Sequence, residues 1–264
     1  MLSLGCPLRH SLIARPSAPS RTASFSPIRH GQAKPAGTRL RSASDEYYNG
    51  QFGAWKVEPE DEREVLFYRL GLTCAAASLG LGVAASFLPA ENAVNDALFD
   101  ALCVTGAGGL GVSLVLIHIY VTPLKRFLQG LYGVGVAGGL WLLLTQDQSV
   151  PAYVVDNPSA MWLVGPLFAA VTGVAFKEGI CYQKWEAGVL FFLIPIIMLG
   201  HLYGIWPDEN LHVMMGGFAA LFALFAGRKY TQPVKDDIGD KSVFTFMKLP
   251  PEEQEKKIRE LRSE

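Results

Sequence analysis

The chain has 264 residues, of which half are apolar and only 18% charged, and 27 are glycine. Its mean hydropathy is +0.24. Soluble domains carry about 25% charged residues spread along every element, whereas here the charges gather toward the two ends and leave long tracts with none. A soluble globular enzyme, a disordered chain and a nucleic-acid binder are therefore all disfavoured, and the formal net charge of −1 is a sum over segments of opposite sign.

Residues 1–44 hold seven basic residues (Arg9, Arg15, Arg21, Arg29, Lys34, Arg39, Arg41), eight serines, five prolines and no acid. A Ser- and Arg-rich, acid-free N-terminus is the mark of an organelle transit peptide. It lacks the apolar run of about 7–15 residues that a secretory signal needs. The prolines break the amphipathic helix that a mitochondrial signal must form, so a plastid is favoured, with the mitochondrial inner membrane as the alternative. Cleavage is expected near Arg41 to Asp45. Without this segment, 16 basic residues face 24 acidic ones, and the mature chain is acidic.

Residues 45–69 are acidic, with Tyr47, Tyr48, Phe52 and Trp55 interleaved. Aromatics just outside a first span are expected at the headgroup level. From residue 70 to 227 the chain divides into six uncharged stretches, roughly 70–90, 101–124, 127–145, 160–176, 187–206 and 211–226. A helix rises about 1.5 Å per residue, so about 20 apolar residues cross a hydrocarbon core of about 30 Å. The fourth and sixth stretches fall near the lower limit. The predicted fold class is all-α: a polytopic bundle of six transmembrane helices.

Charge sidedness supports that count. Loops 91–100, 146–159 and 207–210 contain no Lys or Arg and seven acids (Glu91, Asp96, Asp100, Asp147, Asp156, Asp208, Glu209). The opposite side carries Arg63, Arg69, Lys125, Arg126, Lys177, Lys184, Arg228 and Lys229. Both termini are thus expected on the basic side, the stroma in a plastid. Small residues let membrane helices approach closely, and Gly135-xxx-Gly139 fits that spacing, with weaker versions such as Ala107-xxx-Gly111. The glycine-rich run 106–111 follows no strand and is no phosphate loop.

The tail, residues 228–264, is charged but balanced and is expected to be solvated. A short helix starts at Pro250-Pro251-Glu252, with i,i+4 pairs Glu252/Lys256, Glu253/Lys257 and Glu255/Arg259 and a thin apolar stripe of Ile258 and Leu261.

Chemistry is sparse. An intramembrane ionisable residue is by default a functional-site hypothesis, yet the six uncharged stretches contain no Asp, Glu, Lys or Arg. His118 lies shallow on the basic side. His201 and His212 flank the Asp208–Glu209 loop and are the weak candidates for a metal, since imidazole and carboxylate together suit zinc, iron or manganese. Their spacing follows no metalloprotease pattern, and an interfacial His beside Tyr203 and Trp206 also fits a polar belt. A neutral imidazole of His118 or His201 could hold the magnesium of a chlorophyll, but no cofactor is specified. Cys74 and Cys103 are expected to be buried as small apolar residues.

The segment Phe176-Lys177-Glu178-Gly179-Ile180-Cys181-Tyr182-Gln183-Lys184-Trp185-Glu186 reads two ways. It is a helix end capped at Gly179 with basic topology markers, or a stromal-face site in which Lys177, Glu178, Cys181 and Glu186 act with His118. Lys177 and Lys184 would then favour the Cys181 thiolate.

The stretch Gly173-Val174-Ala175-Phe176-Lys177-Glu178-Gly179-Ile180-Cys181-Tyr182 between hydrophobic spans resembles a family of uncharacterised integral membrane proteins shared by cyanobacteria and plastids, over about residues 60–230. The resemblance implies a photosynthetic lineage and a plastid membrane, the thylakoid first, rather than a mitochondrion, and it transfers no catalytic residue. The expected function is a non-catalytic plastid membrane protein supporting assembly, maintenance or photoprotection of photosynthetic complexes. Its expected partners are the lipid bilayer and thylakoid complexes or a second copy, with no nucleic acid. The alternatives are a channel or facilitator for a small solute or metal ion, and an intramembrane metalloenzyme at His201 and His212.

Overall fold

A computed structural model describes residues 46–88 and 96–263. The transit-peptide reading, the proposed cleavage site and Glu91 fall outside the described residues. Six helices are long and apolar enough to cross a membrane. They are α1 (Pro59–Ser86), α2 (Asp96–Leu116), α3 (Thr122–Thr145), α5 (Met161–Tyr182), α6 (Trp185–Leu202) and α7 (Asp208–Arg228), with the short α4 (Val150–Asp156) lying between α3 and α5. Beyond α7 come a 3₁₀ turn (Lys229–Thr231), α8 (Val234–Ile238), α9 (Lys241–Met247) and α10 (Pro251–Ser263).

The fourth and sixth spans are not short. α5 has 22 residues and α7 has 21, because each helix continues past its uncharged stretch into charged residues, Lys177 and Glu178 in α5 and Glu209 and Arg228 in α7. Gly179 is accordingly no cap but an interior position of α5, set against the backbone of Gly188 in α6. The helix ends three residues later, where Gln183 takes the left-handed conformation at φ 52°.

Close approach is specific. A Cβ on Gly71 would strike the carbonyl of Gly109, and one on Gly109 would lie 2.7 Å from the carbonyl of Gly71, so α1 and α2 touch backbone to backbone. Gly135 and Gly138 press on the backbone of Leu167 and Leu163 in α5, whereas a Cβ on Gly139 would meet nothing within 4 Å. The Gly135-xxx-Gly139 spacing thus identifies one contact residue of the two. On a helix, i and i+3 share a face as well as i and i+4, and here the i+3 partner is used.

The segment before α1 and the segment after α7 fold onto the basic end of the bundle. Tyr47–Gly50 (β1) and Gly53–Lys56 (β2) form an antiparallel hairpin with Tyr48 opposite Trp55, their rings 5.1 Å apart. The aromatic segment is therefore a hairpin that packs on the tail. Phe52 at its turn stacks on Phe246 of α9 at 3.8 Å, while Asp240 and Ser242 accept from the turn N–H groups of Gln51 and Phe52. Val57, Val65 and Ile238 build a small core beneath it. Lys241 bridges Glu58 and Asp61 at the start of α1. Burial disfavours the Lys241 charge, but the two carboxylates outweigh it and hold its pKa above the ordinary lysine value. The tail from Lys229 to Met247 is thus docked, and only α10 extends as an exposed charged helix. Of its expected i,i+4 pairs, Glu255–Arg259 forms at 3.9 Å with both side chains exposed, a geometry that contributes little.

Candidate functional site

Two regions stand out, one at each end of the bundle. At the basic end, six ionisable side chains from five segments meet below the surface. Glu178 of α5 is fully buried. Its Oε1 pairs with Lys177 Nζ at 3.2 Å, and its Oε2 pairs with Lys184 and Lys229, each at 2.7 Å. Lys229 also contacts Asp237 of α8 at 2.6 Å, and Asp237 in turn accepts from Nε of Arg69 on α1 at 2.7 Å. Neither carboxylate has an oxygen outside an ion pair.

Four cations surround two carboxylates, and the surplus positive charge is met in other ways. The Gln232 side-chain oxygen accepts from Lys184 at 2.6 Å, and the Gln232 carbonyl from Arg69 at 3.0 Å. Tyr68, Tyr182 and Phe225 turn ring faces to Lys229, Lys177 and Lys184 at 5.1–5.9 Å, an attraction that strengthens when the cation is desolvated. Lys184, in the α5–α6 turn, has its pKa lowered by burial first, with Glu178 opposing. Carbonyls and aromatic faces thus take the place of further counter-ions, and the cluster is filled by its own side chains.

Glu186, at the start of α6, is fully buried and pairs through Oε2 with Arg228 at 2.7 Å; its Oε1 has no hydrogen-bond partner among the described residues. His118 stands apart, in the α2–α3 connection, 3.6 Å from Glu64 and edge-on to Phe244. Burial lowers its pKa first, Lys177 and Lys125 add to the shift, and Glu64 opposes it. The backbone of Cys181 lies in α5, and its side chain is outside the described residues. Of the loop residues singled out by sequence, the structure therefore joins Lys177 and Glu178 directly and places Glu186 in a neighbouring pair. Lys177 and Lys184, the cations invoked for a Cys181 thiolate, are both committed to Glu178.

Arg69, Lys229 and Asp237 had been legible only as topology markers or solvated tail residues. The one sequence signal is position, and only for two of them: Arg69 and Lys229 lie within three residues of an uncharged stretch, where a helix end can still be buried, whereas Asp237 lies in the tail. Pairing across about 170 residues of chain leaves no local trace.

At the opposite, acidic end the bundle holds a cavity of about 510 Å³. It is lined by apolar side chains of α1, α2, α3, α5, α6 and α7, and polar groups gather at its outer rim: Ser86, Asp100, His201 and His212. Its deeper wall includes Ala75, Leu110, Tyr132 and Phe222. α2 packs closely on α1 and meets α3 only toward the basic end, where Tyr132 and Gln129 donate to the Ala107 and Leu114 carbonyls; the cavity opens between α2 and α3 above that contact, where Val104 and Leu140 are 53% and 47% exposed. Cys103 lies on that mouth and is exposed, while Cys74 is half-buried. The expectation that both are buried fails because α2 has close helix neighbours on one side only.

The rim histidines are separately engaged. Nε2 of His201 lies 2.8 Å from the Val154 carbonyl in α4, and His212 stands edge-on to Phe87 with ring centroids 6.0 Å apart. Asp100 accepts from the Val150 N–H at the first turn of α4. The side chain of Asp208 is outside the described residues. Among the described residues, no group of three or more His, Cys, Asp or Glu side chains is arranged to hold a metal ion.

Six apolar helices with a polar lock at one end and an apolar chamber at the other define a multi-pass integral membrane protein. Residues 112–246 match the family described as "Uncharacterized integral membrane protein (DUF2301)", and the chain belongs to that family. The matched span contains Lys177, Glu178, Lys184, Lys229 and Asp237 and leaves out Arg69. No curated protein and no solved structure matches the chain.

Proposed function

We propose that this is a non-catalytic protein of a plastid membrane, the thylakoid before the envelope, that supports assembly, maintenance or photoprotection of photosynthetic complexes by docking them at its basic face. The observation that carries the docking role is the lobe built from the hairpin before α1 and the tail after α7. α8 is held to the bundle by the Arg69–Asp237–Lys229–Glu178 chain of ion pairs, α9 is tied to the start of α1 through Lys241, and the hairpin is tied to Asp240 and Ser242; together they make a fixed platform. From it projects α10, whose Ile258 and Leu261 are exposed on an otherwise charged helix. Exposed apolar residues on such a helix suit a partner groove. The acid-free, Ser- and Arg-rich N-terminus supports the plastid address.

Gentle-detergent native gels of tagged protein test this reading. Co-migration with a photosynthetic complex is expected, weakened by Ile258→Asp with Leu261→Asp. Migration only as a free monomer or dimer, under conditions that keep photosystems intact, sinks it. Import into isolated plastids followed by protease treatment tests the address: a shortened, membrane-embedded product is expected.

A further inference from the structure

We propose that the cavity in the acidic half is a lipid site, which takes one hydrocarbon chain of an uncharged, hydroxyl-bearing membrane lipid from the acidic-side leaflet. It stands independently of the docking role.

Depth, entrance and charge each narrow the occupant. The wall runs from Ser86 to Ala75 on α1 and from Leu211 to Phe222 on α7, twelve residues and eleven helical steps in each case, or about 16 Å at the helical rise. That is about half of a ~30 Å hydrocarbon core, the reach of one chain from one leaflet. The volume of about 510 Å³ falls within the ~300–1,000 Å³ of small-molecule sites. An apolar chamber does not hold water. The mouth between α2 and α3 lies at membrane depth, so the chain that enters is one already dissolved in the bilayer.

Glycines mark the entrance. Gly139 on α3 and Gly108 on α2 both line the cavity, and a Cβ on either would meet nothing within 4 Å. No helix contact calls for glycine at these two positions, unlike Gly135 and Gly138 on the same helix as Gly139. What their missing side chains leave is width.

The head group follows from the rim. Asp100 uses one carboxylate oxygen on the Val150 N–H, and a carboxylate accepts about four hydrogen bonds in all. The acidic-side loops contain no Lys or Arg. An anionic head would meet repulsion there without a counter-charge, whereas a hydroxyl-rich neutral head supplies donors to acceptor-rich surroundings.

The test uses the full-length protein in nanodiscs with a glycosyl diacylglycerol carrying a diazirine near the end of one acyl chain. Cross-linking is expected at the cavity wall around Leu110 and Tyr132. Excess unlabelled glycosyl diacylglycerol should compete tenfold better than phosphatidylglycerol. Gly82→Leu with Gly139→Leu fills the chamber and should cut labelling at least tenfold, whereas Gly133→Leu, on α3 but away from the cavity, should leave it unchanged. Labelling spread evenly over outward residues such as Leu144 and Trp162, or insensitive to any competitor, overturns the site. Equal competition by phosphatidylglycerol overturns the neutral-head assignment. The competition arm needs no variant, so a misfolded substitution does not shield the proposal.

Discussion

The two ends of this bundle solve the same problem, filling space between helices, in opposite ways. At the basic end the space is filled by the ionised ends of long side chains, each with a partner. At the acidic end it is left open, and the bilayer is available to fill it. The first arrangement is rigid, because removing one carboxylate strands several cations. The second tolerates change at its mouth, where Gly108 and Gly139 face open space. Substitutions that compare the ends therefore test both accounts together.

The largest effect is expected from Glu178→Gln. It leaves Lys177, Lys184 and Lys229 buried without their shared carboxylate, and breaking a buried ion pair costs about 3–5 kcal/mol. Thermal unfolding in detergent should show a collapse of the midpoint or loss of folded protein; an unchanged midpoint means that the network is not closed to water.

Next comes a pair of adjacent glycines. Gly138→Ala drives a Cβ into the Leu163 backbone and should cost about 1–3 kcal/mol through overpacking. Gly139→Ala faces open space and should be neutral or stabilising by up to ~1 kcal/mol through helix propensity. Equal effects at the two sites would erase the contrast between packed seam and open mouth.

Glu186→Gln is a milder break of the lock. Its partner Arg228 is 46% exposed and can turn to water, so a loss of about 1 kcal/mol is expected. A loss as large as that of Glu178→Gln would show that Arg228 is held in place.

The smallest effect is a pH slope from His118. Its folded pKa lies below the unfolded value of ~6.5, because burial and then Lys177 and Lys125 outweigh Glu64. The unfolded chain binds the proton more readily, so stability is lost as pH falls below about 6.5 toward the folded pKa. The unfolding midpoint should drop modestly across that window, and His118→Gln should flatten the drop.

The helical membrane architecture was legible in advance, since the length and charge-free character of each span follow from what a hydrocarbon core excludes. Helix ends were less legible: α5 runs through Lys177 and Glu178 to Tyr182, although charge there reads as a boundary. Those residues stay helical because Lys229 and Asp237 arrive from the tail to neutralise them, a contact without local signature. The aromatic segment 47–55 carries no strand signal in its charge or hydropathy, and its pairing as a hairpin, docked on Phe246 and Asp240, is visible only in the structure.

Hydropathy and charge along the chain therefore determined that six helices cross a bilayer, because each span must satisfy the solvent around it independently of its neighbours. Which glycines are seams and which are gaps, which lysines are buried, and where the bundle leaves a chamber were decided only by tertiary packing. Those properties belong to pairs of segments far apart in sequence, and no single segment carries them.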